Sequence, residues 1–576
     1  MNIVDFTISK FNSIYDKLTP KRFYPILLCV LIVLGLSVFI IPGIPNGHDL
    51  YYHCSRLHTM EYAFRHGEFP AMINHGAIGN YGYATGLFYP DLFLYPAVLL
   101  MLCGLNIIAS YKCMIVLWML LIALSAYYCA QKLSESFFGA FAVALLYTWS
   151  SYLASDLFIR AALGEVFSFA FFPWIILGLY EIILGNPQKF YYFSFGFLGL
   201  LYAHNLSLAI VAFLCAVIIL FNFVRFLREP KRIFYLLISP IPTILIGLAV
   251  LVPFMEQFAH AEFLIKDEKN EEILECCMDF LKLFVEIPHS KQVRWKPAGI
   301  GTIFIITALQ RLRFVSKRTP IEIFRDILLI AGFSCMLLST DLPSWKGYFK
   351  PFTIIQAPWR FFFPATGFLA FGCGLTLVAL TQGKRAHEHY WLWILLLGCC
   401  FSWSINTGYI YAARISEHGM TKDYKPGRPQ EASGLHYLLR GSLLDIDLLK
   451  RGDVAIPEHP LELSLSHPQR HLLKVSFANN TQDNILEMPK IPYYGYQATL
   501  LLPDGTRQSL QTGVSENKLL TVSLPGKYSA GDIIVQYRAT RLQRLSQILS
   551  LLFACVFFTF LLRHHKASKQ ECVKPL

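Results

Sequence analysis

Long apolar runs dominate the chain, separated by short polar or basic stretches. They lie near residues 23–42, 91–105, 112–130, 137–152, 164–184, 190–203, 207–224, 233–253, 299–313, 326–340, 361–381, 390–411 and 546–562. Most approach the roughly 20 residues an α-helix needs to cross a bilayer. The run at 91–105 is short, opens with Asp91 and contains Pro96, so it reads as a segment that dips into the membrane. That leaves about twelve spans, or thirteen if 91–105 crosses. Both termini carry the basic residues that mark the cytoplasmic side, Lys10, Lys17, Lys21 and Arg22 at one end and Arg563 at the other. Termini on one side require an even count. Basic loops at 225–232, 311–318 and 383–385 then fall on that side as well.

Three polar stretches interrupt this pattern. The loop over 43–90 begins with a predicted helix from Asp49 to Gly67. Leu50, Cys54, Leu57, Met60 and Phe64 recur there at helical spacing, and Asp49, His53 and Arg56 share another face. Residues 254–298 place Ile273, Cys277, Phe280, Leu281 and Phe284 at the spacing of an amphipathic surface helix. Residues 413–545 alternate like strands: ATLLLPDGTRQSL reads as a hairpin turning at Pro503-Asp504-Gly505, and HLLKVSF, TVSL and DIIVQYRAT read as further strands. The expected architecture is a polytopic α-helical membrane protein with an extracytoplasmic β-rich domain. Residues 1–412 form the multi-span part, 413–545 a β-sandwich-like domain, and 546–576 the last span and a basic cytoplasmic tail.

Composition changes little in this picture. Of 576 residues, 55% are hydrophobic and 15% aromatic, which excludes a series of soluble domains. A formal charge of +12 would suit nucleic acid, but the basic residues cluster in short loops between spans, so no nucleic-acid partner is expected. The 14 cysteines contain no CxxC pair and lie mostly inside apolar runs, as small core residues do. The first apolar run is long enough to span and lacks a small-residue cleavage site, so no cleavable signal peptide is expected.

Unusual polar residues gather beside the expected outer ends of the spans: Asp49, His53, Arg56, Asp91, Asp156, Arg160, Glu165, His204, Asn205, Glu256, His260 and Arg360. A cleft at that interface is the natural site. Each residue also has a plainer role. Asp49 sits where a helix needs an N-cap, Asp156 and Arg160 at i and i+4 form an ion pair, Glu165 suits a helix first turn, and His204-Asn205 suits a turn. Tyr81 and Tyr83, in a Gly-rich loop before Asp91, offer flat hydrogen-bonding surfaces of the kind sugars favour. The histidines at 48, 53, 58, 66 and 75 show no metal-binding spacing.

The runs GHDLYYH, GEFP and NYGYATGLFYPDLFLYP, then RAALGEVFSFAFFPWIILGLYE at 160–181 and IIQAPWRFFFPATGFLAFGCG at 354–374, resemble bacterial YfhO-like integral membrane proteins. Some of these are labelled as related to 6-pyruvoyl-tetrahydropterin synthase. With IPYYGYQATLLLPDGTRQ, the similarity runs from about residue 45 to 545. Those proteins resemble in turn the GT-C-fold glycosyltransferases, which use polyprenyl-phosphate-linked sugars and carry an acidic residue in the first outer loop. The resemblance implies an inverting transferase in the bacterial cytoplasmic membrane, acting on an envelope glycan, lipid or protein acceptor. Asp49 is the implied catalytic base. Arg360 is the first choice and Arg160 the second for the donor phosphate, and Asp91 orients the donor or holds a divalent ion, Mg or Mn. His53, Arg56, Glu165, His204, Tyr81 and Tyr83 complete the substrate-binding set. GT-C enzymes often carry two acids close together in this loop. Here Asp49 is flanked by His48 and Leu50, a departure that weakens direct metal binding at Asp49. A transporter or flippase of lipid-linked saccharides, or a non-catalytic envelope scaffold, is the alternative.

Overall fold

The apolar runs form helices, because a helix satisfies its own backbone and leaves only side chains for lipid or neighbouring helices to cover. The computed structural model describes residues 19–266, 273–284, 299–315, 318–350, 355–426, 435–442 and 445–571; Lys10, Lys17 and the end of the basic tail lie outside them. In chain order the framing helices are Pro20–Gly35 (α1), Leu50–Arg65 (α2), Ile107–Ser134 (α3), Phe137–Thr148 (α4), Leu163–Ile183 (α5), Tyr191–Ala203 (α6), Asn205–Phe221 (α7), Pro240–His260 (α8), Phe362–Thr381 (α9), Arg385–His418 (α10) and Arg541–Glu571 (α11).

Among the described residues, seven helical stretches are long and apolar enough to cross a membrane: Ile107–Ser134, Phe137–Arg160, Leu163–Ile183, Pro230–His260, Pro358–Thr381, Arg385–Gly408 and Arg541–Arg563. This makes the chain a helical, membrane-embedded protein. Other expected spans are shorter as helices: α1 has 16 residues, α6 has 13 and α7 has 17. The run at 299–313 yields only Thr302–Leu309, and Leu92–Leu102 is likewise short. Pro320–Leu338 is long but carries Glu322, Arg325 and Asp326. Apolar run length alone overstates helix length at 299–313, while His204 separates α6 from α7 where the runs at 190–203 and 207–224 part.

Phe137–Arg160 and Pro358–Thr381 form the centre, each with 94% of its apolar stretch buried, whereas Pro230–His260 and Arg541–Arg563 are 17% buried and lie outside. Small residues such as Ala140, Ala144, Ala365 and Ala370 let the central helices approach closely. Helix α2 is covered on two faces. Leu50, Cys54, Leu57 and Met60 are buried, and so are His53 and Arg56; Phe64, expected on the apolar face, is 49% exposed.

Residues 273–284 do not form the amphipathic helix expected there. They make turns and a short 3-10 turn at Phe280–Lys282, with Met278 bridged to Thr340. Ile273 and Cys277 are buried while Leu281 is exposed, an arrangement that turns achieve without helical periodicity. Residues 267–272 and 285–298 lie outside the described part.

The C-terminal region is β-rich. Ile44–Pro45 (β1) pairs with Met420–Thr421 (β2), tying the first loop to the end of α10. The other strands are Ile456–Pro457 (β3), Glu462–Gln469 (β4), Leu472–Ala478 (β5), Asn484–Glu487 (β6), Tyr496–Leu501 (β7), Arg507–Leu510 (β8), Thr512–Val514 (β9), Leu520–Leu524 (β10) and Gly531–Tyr537 (β11). They form two antiparallel sheets, ordered β3-β6-β10-β9 and β4-β5-β11-β7-β8. Leu473, Val475 and Phe477 alternate inward from β5, as one buried sheet face requires. In the β7–β8 hairpin, Leu501 pairs with Arg507 and Gly505 turns at φ +85°.

This region shares a hydrophobic core with the Gly/Tyr-rich loop at 72–88. Phe88 stacks on Tyr437 with ring centroids 4.5 Å apart, and the Ile491 N–H donates to the Tyr81 carbonyl at 3.1 Å.

Candidate functional site

Residues 46–49 run alongside 159–161. The His48 N–H donates to the Ile159 carbonyl (3.2 Å) and the Asp49 N–H to the Arg160 carbonyl (2.9 Å). The approach requires glycine at 47, where a Cβ would lie 2.6 Å from the Ala161 Cβ. Asp156–Arg160 is a single π-helical turn, followed by Ala161 at φ +52°. Such turns and left-handed non-glycine residues collect at functional sites. Gly164 opens the next helix against Tyr89, whose hydroxyl oxygen would be 1.9 Å from an added Cβ.

Two buried ion clusters form around this junction. Arg160 Nη1 donates to Asp156 Oδ1 (2.6 Å) and Glu165 Oε2 (2.7 Å), while the Tyr152 hydroxyl donates to Glu165 Oε1 (2.5 Å). Two carboxylates thus share one guanidinium. In the second cluster Arg56 donates through Nε (2.9 Å) and Nη2 (2.6 Å) to Asp91 Oδ1, and its guanidinium lies 4.5 Å from the centre of the Tyr89 ring. Burial raises the Asp91 pKa despite the opposing Arg56 charge. His53 faces two donors, the Arg56 guanidinium 3.2 Å from Nδ1 and the Leu163 amide 3.3 Å from Nε2. Burial first, and then Arg56 and His204, push its pKa well down, so the imidazole stays neutral.

Two charged groups remain. Asp49 occupies the N-cap position of α2, yet its side chain makes no capping hydrogen bond. Its carboxylate has no hydrogen-bond or ion-pair partner among the described residues. Burial pushes its pKa up, with Arg160 and Arg360 pulling the other way, and His436 adding to that pull. Arg360 Nη1 donates to the Ile355 carbonyl and to Gln356 Oε1, both at 2.8 Å, and Gln356 sits at φ +66°. Arg360 Nε has no hydrogen-bond partner, and among the described residues no carboxylate bridges this guanidinium. Arg360 nevertheless shares the field of Arg160, Glu165, Tyr152 and Asp49.

The fold therefore brings Asp49, Arg160, Glu165 and Arg360 into one region, with His53, Arg56 and Asp91 beside it. His204 is nearby as the N-cap of α7, its Nδ1 2.8 Å from Ser207 Oγ. Burial drops its pKa to about 3. The structure corrects one expectation and bears on two more. Tyr81 and Tyr83 are fully buried, one donating to the Gly452 carbonyl (2.8 Å) and the other accepting from the Tyr437 N–H (3.1 Å), so they join loop to β-region and form no open sugar-facing surface. Asp91 is committed to Arg56. Among the described residues no three His, Cys, Asp or Glu side chains form a group that could hold a metal ion.

Tyr152, Tyr89 and His436 were not singled out from sequence. Tyr152 had a usable signal, standing at i, i+4 and i+8 with Asp156 and Arg160. His436 had none, since it reaches Asp49 only through the docking of a region far along the chain. No protein-family model matches the chain, and no curated protein matches it significantly.

Proposed function

We propose that the protein is a membrane glycosyltransferase that moves a sugar from a polyprenyl-phosphate-linked donor to an acceptor outside the cytoplasm. One observation carries this reading: among the described residues a half-buried carboxylate without a hydrogen-bond or ion-pair partner, Asp49, and a half-buried guanidinium without a carboxylate, Arg360, share one field without bridging. Opposite charges held apart in a poorly hydrated place suit a reaction that releases a proton at one end and a phosphate at the other.

Asp49 takes the acceptor hydroxyl proton while that oxygen bonds to the anomeric carbon. The bond from the anomeric carbon to the phosphate oxygen breaks, and polyprenyl phosphate departs with inverted configuration at the sugar. Arg360 binds the departing phosphate. Arg160 is less suited, because Asp156 and Glu165 already neutralise it; its cluster instead fixes the geometry of the turn. The apolar helices offer the isoprenoid tail its groove. A GT-C-like arrangement of about twelve spans with both termini cytoplasmic belongs to the same reading. So do a site on the outer face and a place in the bacterial cytoplasmic membrane.

The test reconstitutes the protein in liposomes with labelled polyprenyl-phosphate sugars and compares lipid-linked sugars in a deletion strain with the parent. Transfer to acceptor, and donor accumulation in the deletion strain, are expected. Movement of intact donor across the bilayer without release of polyprenyl phosphate would make the protein a transporter. Neither activity would leave only a scaffold.

A further inference from the structure

A second feature lies at the other end of the bundle. The stretch Phe137–Arg160, helical to Thr148 and again from Ser151, runs from it to the Asp49 region. There Lys21, Leu124, Tyr127, Tyr128, Gln131 and Phe137 line an open cavity of about 570 Å³.

Its walls are apolar and aromatic with a polar mouth. Leu124 is 41% exposed on the outer surface of α3, so the cavity opens sideways toward lipid. The Tyr127 hydroxyl is buried and has no hydrogen-bond partner among the described residues, leaving a donor to spare. Lys21 and Arg22 are exposed at the start of α1, whose positive dipole end points the same way. Lys132 lies 5.7 Å from the centre of the Tyr128 ring. Among the described residues next to the lining in sequence, Glu135 is the acidic group against these three cations, which leaves positive charge in excess.

We infer that this cavity binds an anionic phospholipid, with an acyl chain along Leu124, Tyr127, Tyr128 and Phe137 and the headgroup phosphate at Lys21. A lipid fits better than a free ion because most of the lining is hydrocarbon, while the cationic rim selects charge. Basic pockets between spanning helices hold acidic lipids by this combination. The site is separate from the Asp49–Arg360 region and does not depend on how that region is read.

The experiment uses the full-length protein in detergent, with dioleoylphosphatidylglycerol and dioleoylphosphatidylcholine added in turn. Retained lipid is counted by native mass spectrometry, and melting temperature is followed alongside. The parent should retain the anionic lipid roughly fivefold better, the worth of one close cation near an anionic headgroup, and melt higher with it. Lys21→Glu should erase the preference. Leu124→Trp and Gln131→Trp, which fill the cavity, should lower retention of both lipids. Equal retention of the two lipids by the parent would overturn the inference, as would unchanged retention in all three variants. Displacement of the lipid by millimolar inorganic phosphate would overturn it in favour of a free-anion site. Higher retention after deletion of residues 1–18 would show that the chain's own N-terminus belongs in the cavity.

Discussion

Replacing Asp49 with Asn separates a catalytic carboxylate from a helix cap. A working N-cap is worth about 0.5–2 kcal/mol, and Asn caps about as well as Asp. Here the Asp49 side chain makes no capping bond, so even Asp49→Ala should fall short of that loss. Burial raises the Asp49 pKa. An acid that binds its proton more tightly folded than unfolded contributes stability at low pH, lost as the pH rises through the folded value. At neutral pH the charged form is therefore a burden, and Asp49→Asn should melt at the parent temperature or above. Activity should behave oppositely. Loss of a general base costs about 10²–10⁴ in rate, or about 2.7–5.4 kcal/mol of barrier. The parent's acid limb should also lie above the ordinary carboxylate range, since the base must be ionised. The assay is sugar transfer from a polyprenyl-phosphate donor at matched protein levels, with melting curves from pH 5 to pH 8. Full transfer by Asp49→Asn would refute the catalytic role. A large drop in its melting temperature at neutral pH would refute the account of its burial.

Arg360→Lys should keep part of the transfer activity and Arg360→Ala very little, with stability little changed because Nη1 bonds only neutral oxygens; equal activity in all three proteins would remove the phosphate role. Arg160→Ala strands Asp156 and Glu165, which are 0% and 1% exposed, and should cost about 3–5 kcal/mol; a melting temperature within a degree or two of the parent would contradict the buried cluster. Lys490, 2% exposed with its amine bonded to the Asn80 carbonyl, is held by burial at about 8 instead of 10.5. A base depressed in this way binds its proton less tightly when folded, so stability should grow as pH rises from about 8 toward 10.5. Lys490→Met should flatten that dependence in melting experiments, and an unchanged slope would show that Lys490 is not its source.

What was legible in the chain was what local spacing decides. The helix over 50–65, the i, i+4 pair of Asp156 and Arg160, and the hairpin around Gly505 depend on neighbours within a few residues, and the folded protein contains each of them. Helix ends were harder to read. The runs at 190–203 and 207–224 form α6 and α7, helices of 13 and 17 residues that meet at His204, whereas the run at 299–313 forms a helix only over Thr302–Leu309. Periodicity failed at 273–284, where Ile273 and Cys277 are buried by turns.

The sequence by itself determined that the chain is helical and membrane-embedded, that a β-rich region precedes its last helix, and that unusual charges collect near helix ends. Those properties follow from composition and period, which every copy of the chain carries before it folds. Only the tertiary structure decided what each charge does. Glu165 is a first-turn acid that also serves Arg160, and Asp91 looks available but is held by Arg56. Tyr81 and Tyr83 look like a surface but lie in a core shared with strands several hundred residues away. Asp49 stands where a cap belongs and makes no cap. The reason is that a partner's distance along the chain says nothing of its distance in space. A buried charge takes its character from whichever group the fold places against it.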